Sequence, residues 1–184
     1  MLTKALLVLG LLVAGLLTAV TLQPAAYRVV RSTTIKAAPE RVFGVVNDFR
    51  QWEHWSPWAK LDPQMKTIYA GPASGEGAVY SWAGNDDVGE GRMTILESHP
   101  NEHIKINLEF LKPFESRSLT DFRFKPEGNG TQVDWIMTGE NDFMGKVFTL
   151  VTGGMDNAVG GDFEKGLAQM KSVAESAPAA TPAP

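Results

Sequence analysis

The sequence predicts an α+β protein in which one transmembrane helix precedes a curved antiparallel sheet of seven strands, with a long C-terminal helix laid on the sheet's apolar face. Three observations carry that prediction. Phe163, Leu167, Met170 and Val173 recur at helical spacing while Glu164, Lys165, Lys171 and Glu175 fall mainly on the other side, so this segment is an amphipathic rod that must bury one stripe. Between residues 27 and 138, short apolar runs are cut by Gly, Pro, Asn and Asp, the pattern of strands joined by tight turns. Residues 5–20, ALLVLGLLVAGLLTAV, carry no charge, and the run extends to Leu22.

Composition bounds the rest. A chain of 184 residues with this leader and a short tail leaves about 150 residues for one domain, enough for a sizeable core. The expected divisions are an anchor over 1–26, a folded domain over 27–176 and a disordered tail over 177–184, APAATPAP. Hydrophobic content of 43% with charged content of 21% is that of a globular chain. A net charge of -4 lacks the basic footprint that phosphate backbones require, which argues against a nucleic-acid partner. The absence of cysteine removes disulfides, thiolate nucleophiles and cysteine metal sites together.

The leader reads as an uncleaved anchor. A cleaved signal peptide needs small residues at two positions before the cut, and the available pairs, Leu17 with Ala19 and Pro24 with Ala26, are poor. Lys4 precedes the segment, while Arg28, Arg31, Lys36 and Arg41 follow it and by count would hold the domain in the cytoplasm. Those residues belong to a folded domain, and large domains translocate largely regardless of charge. A domain facing the periplasm or cell exterior is therefore expected, with the cytoplasmic face as the alternative.

Residues 27–36, YRVVRSTTIK, form a β-branched first strand. Pro39 opens a helix whose apolar side is Val42, Phe43, Val45 and Val46, and Asn47 and Asp48 end it. Residues 49–60, FRQWEHWSPWAK, crowd Trp52, Trp55 and Trp58 around Pro57. Six further strands follow over 65–70, 77–83, 88–99, 102–111, 115–125 and 131–138, linked closely enough for an antiparallel meander. Alternation puts Ile104, Ile106, Leu108 and Phe110 on one face and Lys105, Asn107 and Glu109 on the other. Phe122, Phe124, Val133, Trp135 and Met137 continue the apolar face. Residues 142–151 read as a helix capped by Asn141 or Asp142 and broken at Gly153 and Gly154. Gly160 and Gly161 then mark a close approach or a bend in the last helix.

The order of these elements, with RSTTIKAAPERVFGVVNDFRQWEHWSPW at 31–58, GEGRMTILESHP at 89–100 and DFEKGLAQMK at 162–171, resembles the SRPBCC superfamily of START-like, polyketide cyclase/dehydrase-type proteins. The resemblance covers about 27–175. It implies the helix-grip fold, in which a seven-stranded antiparallel sheet wraps the last helix and encloses an apolar cavity. Members of the superfamily include lipid carriers, cyclases and hormone receptors.

The expected function is a membrane-tethered, non-enzymatic module holding a hydrophobic small molecule, a lipid or acyl compound, between sheet and helix. Its cavity lining is expected from Trp58, Tyr80, Trp82, Met93, Ile95, Ile106, Leu108, Phe122, Trp135, Met137, Phe163, Leu167 and Met170. Trp52 and Trp55 are expected to be packing. The alternative is a cyclase/dehydrase-like enzyme acting on an aromatic or polyketide-like substrate, which needs an inward acid or base; Tyr80 is the one aromatic hydroxyl the inward positions supply. A third reading is an envelope protein that binds a protein partner through its exterior. No cofactor, metal or catalytic residue is expected. His99 and His103 lie four apart as HPNEH, but Pro100 denies them a helix, and at a strand turn neither ring is expected to be held for a metal. Asp121, Arg123 and Asp134 alternate outward, and His54 is expected to be exposed. Residues 71–77, GPASGEG, and 89–91, GEG, lack the lysine of a phosphate loop and read as turns and a bulge. The segment 143–151 is a candidate lid hinged at Gly153 and Gly154.

Overall fold

A computed structural model describes residues 1–176; the tail expected over 177–184 lies outside the described residues. The elements run α1 (Leu2–Thr21), β1 (Ala26–Ile35), α2 (Pro39–Asn47), a 3-10 helix (Phe49–His54), β2 (Lys66–Ala70), β3 (Val79–Ala83), β4 (Glu90–His99), β5 (His103–Lys112), β6 (Ser116–Glu127), β7 (Gly130–Glu140), α3 (Phe143–Thr152) and α4 (Met155–Ser176). The seven strands form one sheet in the order β1-β7-β6-β5-β4-β3-β2, and every neighbouring pair is antiparallel. This is the helix-grip arrangement expected, with α4 lying against β1 and the inner sheet face.

Register explains which side chains share that face. Tyr27 pairs with Gly139, Gly139 with Ser118, Ser118 with Leu108, Leu108 with Met93 and Met93 with Tyr80, so one inward row crosses six strands. A second row, deeper from the α1 end, joins Val29, Met137, Thr120, Ile106 and Ile95, and a third joins Arg31, Trp135, Phe122 and Ile104. Bulges interrupt β4 opposite β5 at Glu90/Gly91 and at Ile95/Glu97. At the first, the Trp82 ring lies where a side chain on Gly91 would sit, since a Cβ there would come within 2.4 Å of it.

Helix α4 buries Phe163, Leu167, Met170 and Ala174, and full burial of each large apolar side chain stabilises by about 1.5–3 kcal/mol. Gly160 is a close approach: a Cβ there would stand 2.1 Å from Arg31 Nη2. The Arg31 guanidinium lies under the helix, bonded to Asp156 at 2.8 Å and to Glu164 at 2.7 Å. Those two carboxylates hold the guanidinium charged, raising its pKa, while Arg31 lowers that of Asp156. At Gly166 the close neighbour is the Trp135 ring, 2.7 Å from a Cβ built there. The tryptophan-rich segment folds as the 3-10 helix and a following turn, with Trp52 and Trp55 buried as packing residues. Their indole nitrogens donate to the carbonyls of Val46 and Val45 at 2.9 and 3.1 Å.

Candidate functional site

All thirteen side chains expected to line a cavity lie in one apolar cluster between sheet and α4. Met93, Ile95, Ile106, Phe122, Trp135, Met137, Phe163, Leu167 and Met170 are buried in it, while Trp58, Tyr80, Trp82 and Leu108 are half-buried against it. Strand alternation brings the sheet residues to this face, and the 3.6-residue period brings those of α4. The centre is filled. Trp135 and Phe163 stack with centroids 4.0 Å apart, Phe122 stacks on Trp135 at 5.0 Å, and Trp55 and Trp58 meet Trp135 edge-on at 5.6 and 6.1 Å. The open gap expected between sheet and helix is thus closed at this level by flat rings, whose stacking fills space that branched side chains would leave.

Two features set the cluster apart from an ordinary core. Among the described residues the Trp135 indole N–H is buried without an acceptor, whereas those of Trp52, Trp55 and Trp82 each donate to a backbone carbonyl. An orphaned buried donor costs about 1–3 kcal/mol. Packing also thins toward the end of the sheet where β1 begins: Leu108 and Tyr80 are only half-buried, and their row carries the paired hydroxyls of Tyr27 and Ser118, 2.7 Å apart. Burial raises the Tyr80 pKa to about 12, so its phenol is a hydrogen-bond donor at neutral pH and a poor base.

Helix α3 stands beside this end. The Asp142 carboxylate accepts from the Gly145 N–H at 2.7 Å as its cap, and Gly153 ends it in the left-handed conformation at φ 78°. Phe143, Met144, Phe148, Leu150 and Val151 are exposed on it, the helix touches α1, and Lys146 Nζ donates to the Thr21 carbonyl at 3.4 Å. The buried Thr149 hydroxyl has no partner. α1 itself is long and apolar enough to cross a membrane, with 6% of its most apolar window buried.

The outer face holds what the sequence did not predict. Glu109, placed outward by alternation, is nevertheless buried, because Arg92 and Arg117 on the flanking strands close over it; the hydrogen bond from Arg92 does most to hold its carboxyl below the usual range. His103 is held by a partner the sequence did not reveal: one ring nitrogen lies 2.7 Å from Asp121 Oδ1, and the ring stacks on His99 with centroids 6.1 Å apart. The pairing His99↔His103 across a tight turn causes this, and strand spacing alone does not reveal it. Asp121 and Asp134 do lie on that face, bonded to His103 and Ser32, and His54 is exposed. Two shallow hollows also open outward. One of about 310 Å³ is lined by Glu102, His103, Arg123, Phe124 and Lys125; the other, of about 210 Å³, lies between the loop at Gly84–Glu90 and Lys112–Pro113. Neither is lined by any of the thirteen residues expected to line the cavity, although Phe124 of the inward cluster borders the first.

Residues 26–175 match the family model described as polyketide cyclase / dehydrase and lipid transport. Among solved structures, a protein of unknown function from Staphylococcus aureus shares 14% identity with a TM-score of 0.62, covering 82% of this chain and 94% of its own. An uncharacterised protein from Rhizobium leguminosarum shares 18% identity with a TM-score of 0.61, covering 83% and 96%. The di-domain aromatase/cyclase StfQ of the steffimycin biosynthetic pathway shares 10% identity with a TM-score of 0.59; the match covers 82% of this chain and 51% of StfQ. At these identities the likeness is one of fold. Nothing among curated proteins matches.

Proposed function

We propose, from the premise that this chain belongs to the polyketide cyclase / dehydrase and lipid transport family, that it is a membrane-tethered module that accepts a hydrophobic small molecule of lipid or acyl type between the sheet and α4. One observation carries the reading: the buried Trp135 N–H has no acceptor, and a carbonyl or carboxylate on a guest would supply one. Its lining is drawn from the thirteen inward residues, at the end where Leu108 and Tyr80 are only half-buried rather than at the ring-filled centre. The guest enters where packing is thinnest, past Leu108 and Tyr80, as α3 moves at Gly153 and Gly154. That entrance lies toward the end of the sheet where β1 follows α1, so a poorly soluble cargo passes from bilayer to protein with little exposure to water.

Binding is favoured over turnover by the chemistry of the lining. Its titratable group is Tyr80, which burial keeps protonated, and none of the thirteen lining residues is a carboxylate or an imidazole that could serve as a general acid or base. We place the folded domain on the periplasmic or outer face of the membrane.

The test uses the full chain in lipid nanodiscs, titrated with a fluorescent long-chain fatty acid and read by energy transfer from tryptophan. Saturable uptake that falls at least tenfold in Leu108→Trp, which fills the entrance, supports the reading. Uptake that never saturates, or that Leu108→Trp leaves unchanged, overturns it.

A further inference from the structure

The end of the β4–β5 hairpin farthest from α1 brings Glu97, His99 and His103 together on the outer sheet face. The second bulge in β4 restores Glu97 and His99 to the same side, and the pairing His99↔His103 sets the two rings face to face, 10° from parallel. His99 Nε2 lies 3.8 Å and His103 Nδ1 4.0 Å from the same carboxylate oxygen, Glu97 Oε2. One ligating atom from each of the three residues falls within 4.8 Å of the other two.

The hydrogen bonding around them decides what these atoms present. Asp121 Oδ1 sits 2.7 Å from His103 Nε2 and accepts a hydrogen bond from its N–H, so a neutral His103 in that tautomer turns the Nδ1 lone pair toward Glu97. Lys105 Nζ donates to Glu97 Oε1 at 3.1 Å, which leaves Oε2 free to face the two rings. Lone pairs converging on one point repel unless a cation stands between them. A carboxylate fixing the far nitrogen of a ligating histidine is the usual orienting partner in zinc sites.

We propose that Glu97, His99 and His103 form a binding site for a divalent transition-metal ion of the zinc type, with Asp121 as the residue that positions His103. Two imidazoles and a carboxylate are the donor set that suits zinc, copper or nickel over magnesium or calcium. Tetrahedral zinc with bonds of about 2.0–2.1 Å puts neighbouring donors ~3.3 Å apart, so small rotations of His99 and Glu97 close the observed spacings. Both lie on the surface, free to make them. Three protein donors leave a fourth position for water or an anionic ligand. The site is separate from the inward cluster and does not depend on what that cluster holds.

The experiment takes the untagged full chain in detergent, stripped with a chelator, and titrates zinc alone by calorimetry, with cobalt substituted for a visible spectrum. One zinc per chain, with the strong visible absorption of tetrahedral cobalt, is expected. Asp121→Asn should weaken binding by about 10–100-fold, and His99→Gln or His103→Gln by more, with circular dichroism showing the fold intact. Absence of saturable binding near one equivalent, or binding that survives the His99→Gln/His103→Gln pair, overturns the site.

Discussion

Two tryptophans separate what a buried ring contributes by volume from what it contributes by its N–H. Trp55 and Trp135 are both buried and touch each other, but only Trp55 has an acceptor, the Val45 carbonyl. Replacing either by phenylalanine removes the same atoms and opens a comparable void. Trp55→Phe also orphans a carbonyl, so it should destabilise by about 1–2 kcal/mol more than Trp135→Phe. Urea unfolding of the two variants measures the difference, and equal losses would mean that Trp135 has an acceptor of its own. Alternation in the sequence placed Trp135 inward correctly, because the face a residue takes depends only on its own strand. Whether its nitrogen finds a partner depends on carbonyls from distant segments. The same reason hid the burial of Glu109 under Arg92 and Arg117, and the grip of Asp121 on His103.

At the level of elements, two glycines of α4 predict opposite outcomes for one substitution. Gly161 has no atom near a built Cβ, so Gly161→Ala should stabilise by up to about 1 kcal/mol through helix propensity. Gly166 faces the Trp135 ring at 2.7 Å and Pro57 at 3.2 Å, neither of which can swing away, so Gly166→Ala should destabilise by about 1–3 kcal/mol despite the same propensity gain. Thermal melts of the two variants should move in opposite directions. The sequence marked Gly160 as a close approach or a bend, and the approach to Arg31 is what occurs, in a helix continuous from Met155 to Ser176. Strand ends moved by at most two residues from those expected, chiefly at turns; the first pairings of β3, for example, begin at Val79 rather than Gly77 because Gly75 and Gly77 occupy a turn with positive φ. Periodicity identifies an element well and its last hydrogen bond poorly. Whether facing elements leave a gap between them is harder still, since it turns on how rings stack.

At the scale of the described chain, α1 and the sheet are joined rather than strung together. Leu22, Gln23, Pro24 and Ala25 alone separate α1 from β1, and Asn141 binds two of them, its side chain donating to the Pro24 carbonyl at 3.0 Å and its backbone N–H to that of Ala25 at 2.8 Å. A chain begun at Tyr27 loses both acceptors, one begun at Gln23 keeps them, and the shorter should be less stable by about 1 kcal/mol. Matched denaturant curves of the two check this. The leader's length and apolarity were plain in the sequence, but nothing there showed that it would be clasped from the far end of β7.

That clasp makes the protein a post. With α1 seated in a bilayer, β1 rises from the membrane for ten residues, at most roughly 33 Å at strand rise, without a swivel at its base. The hairpin tip bearing His99 and His103 lies at the opposite end of the sheet from α1, so a bilayer around α1 would leave that tip facing away from the lipid.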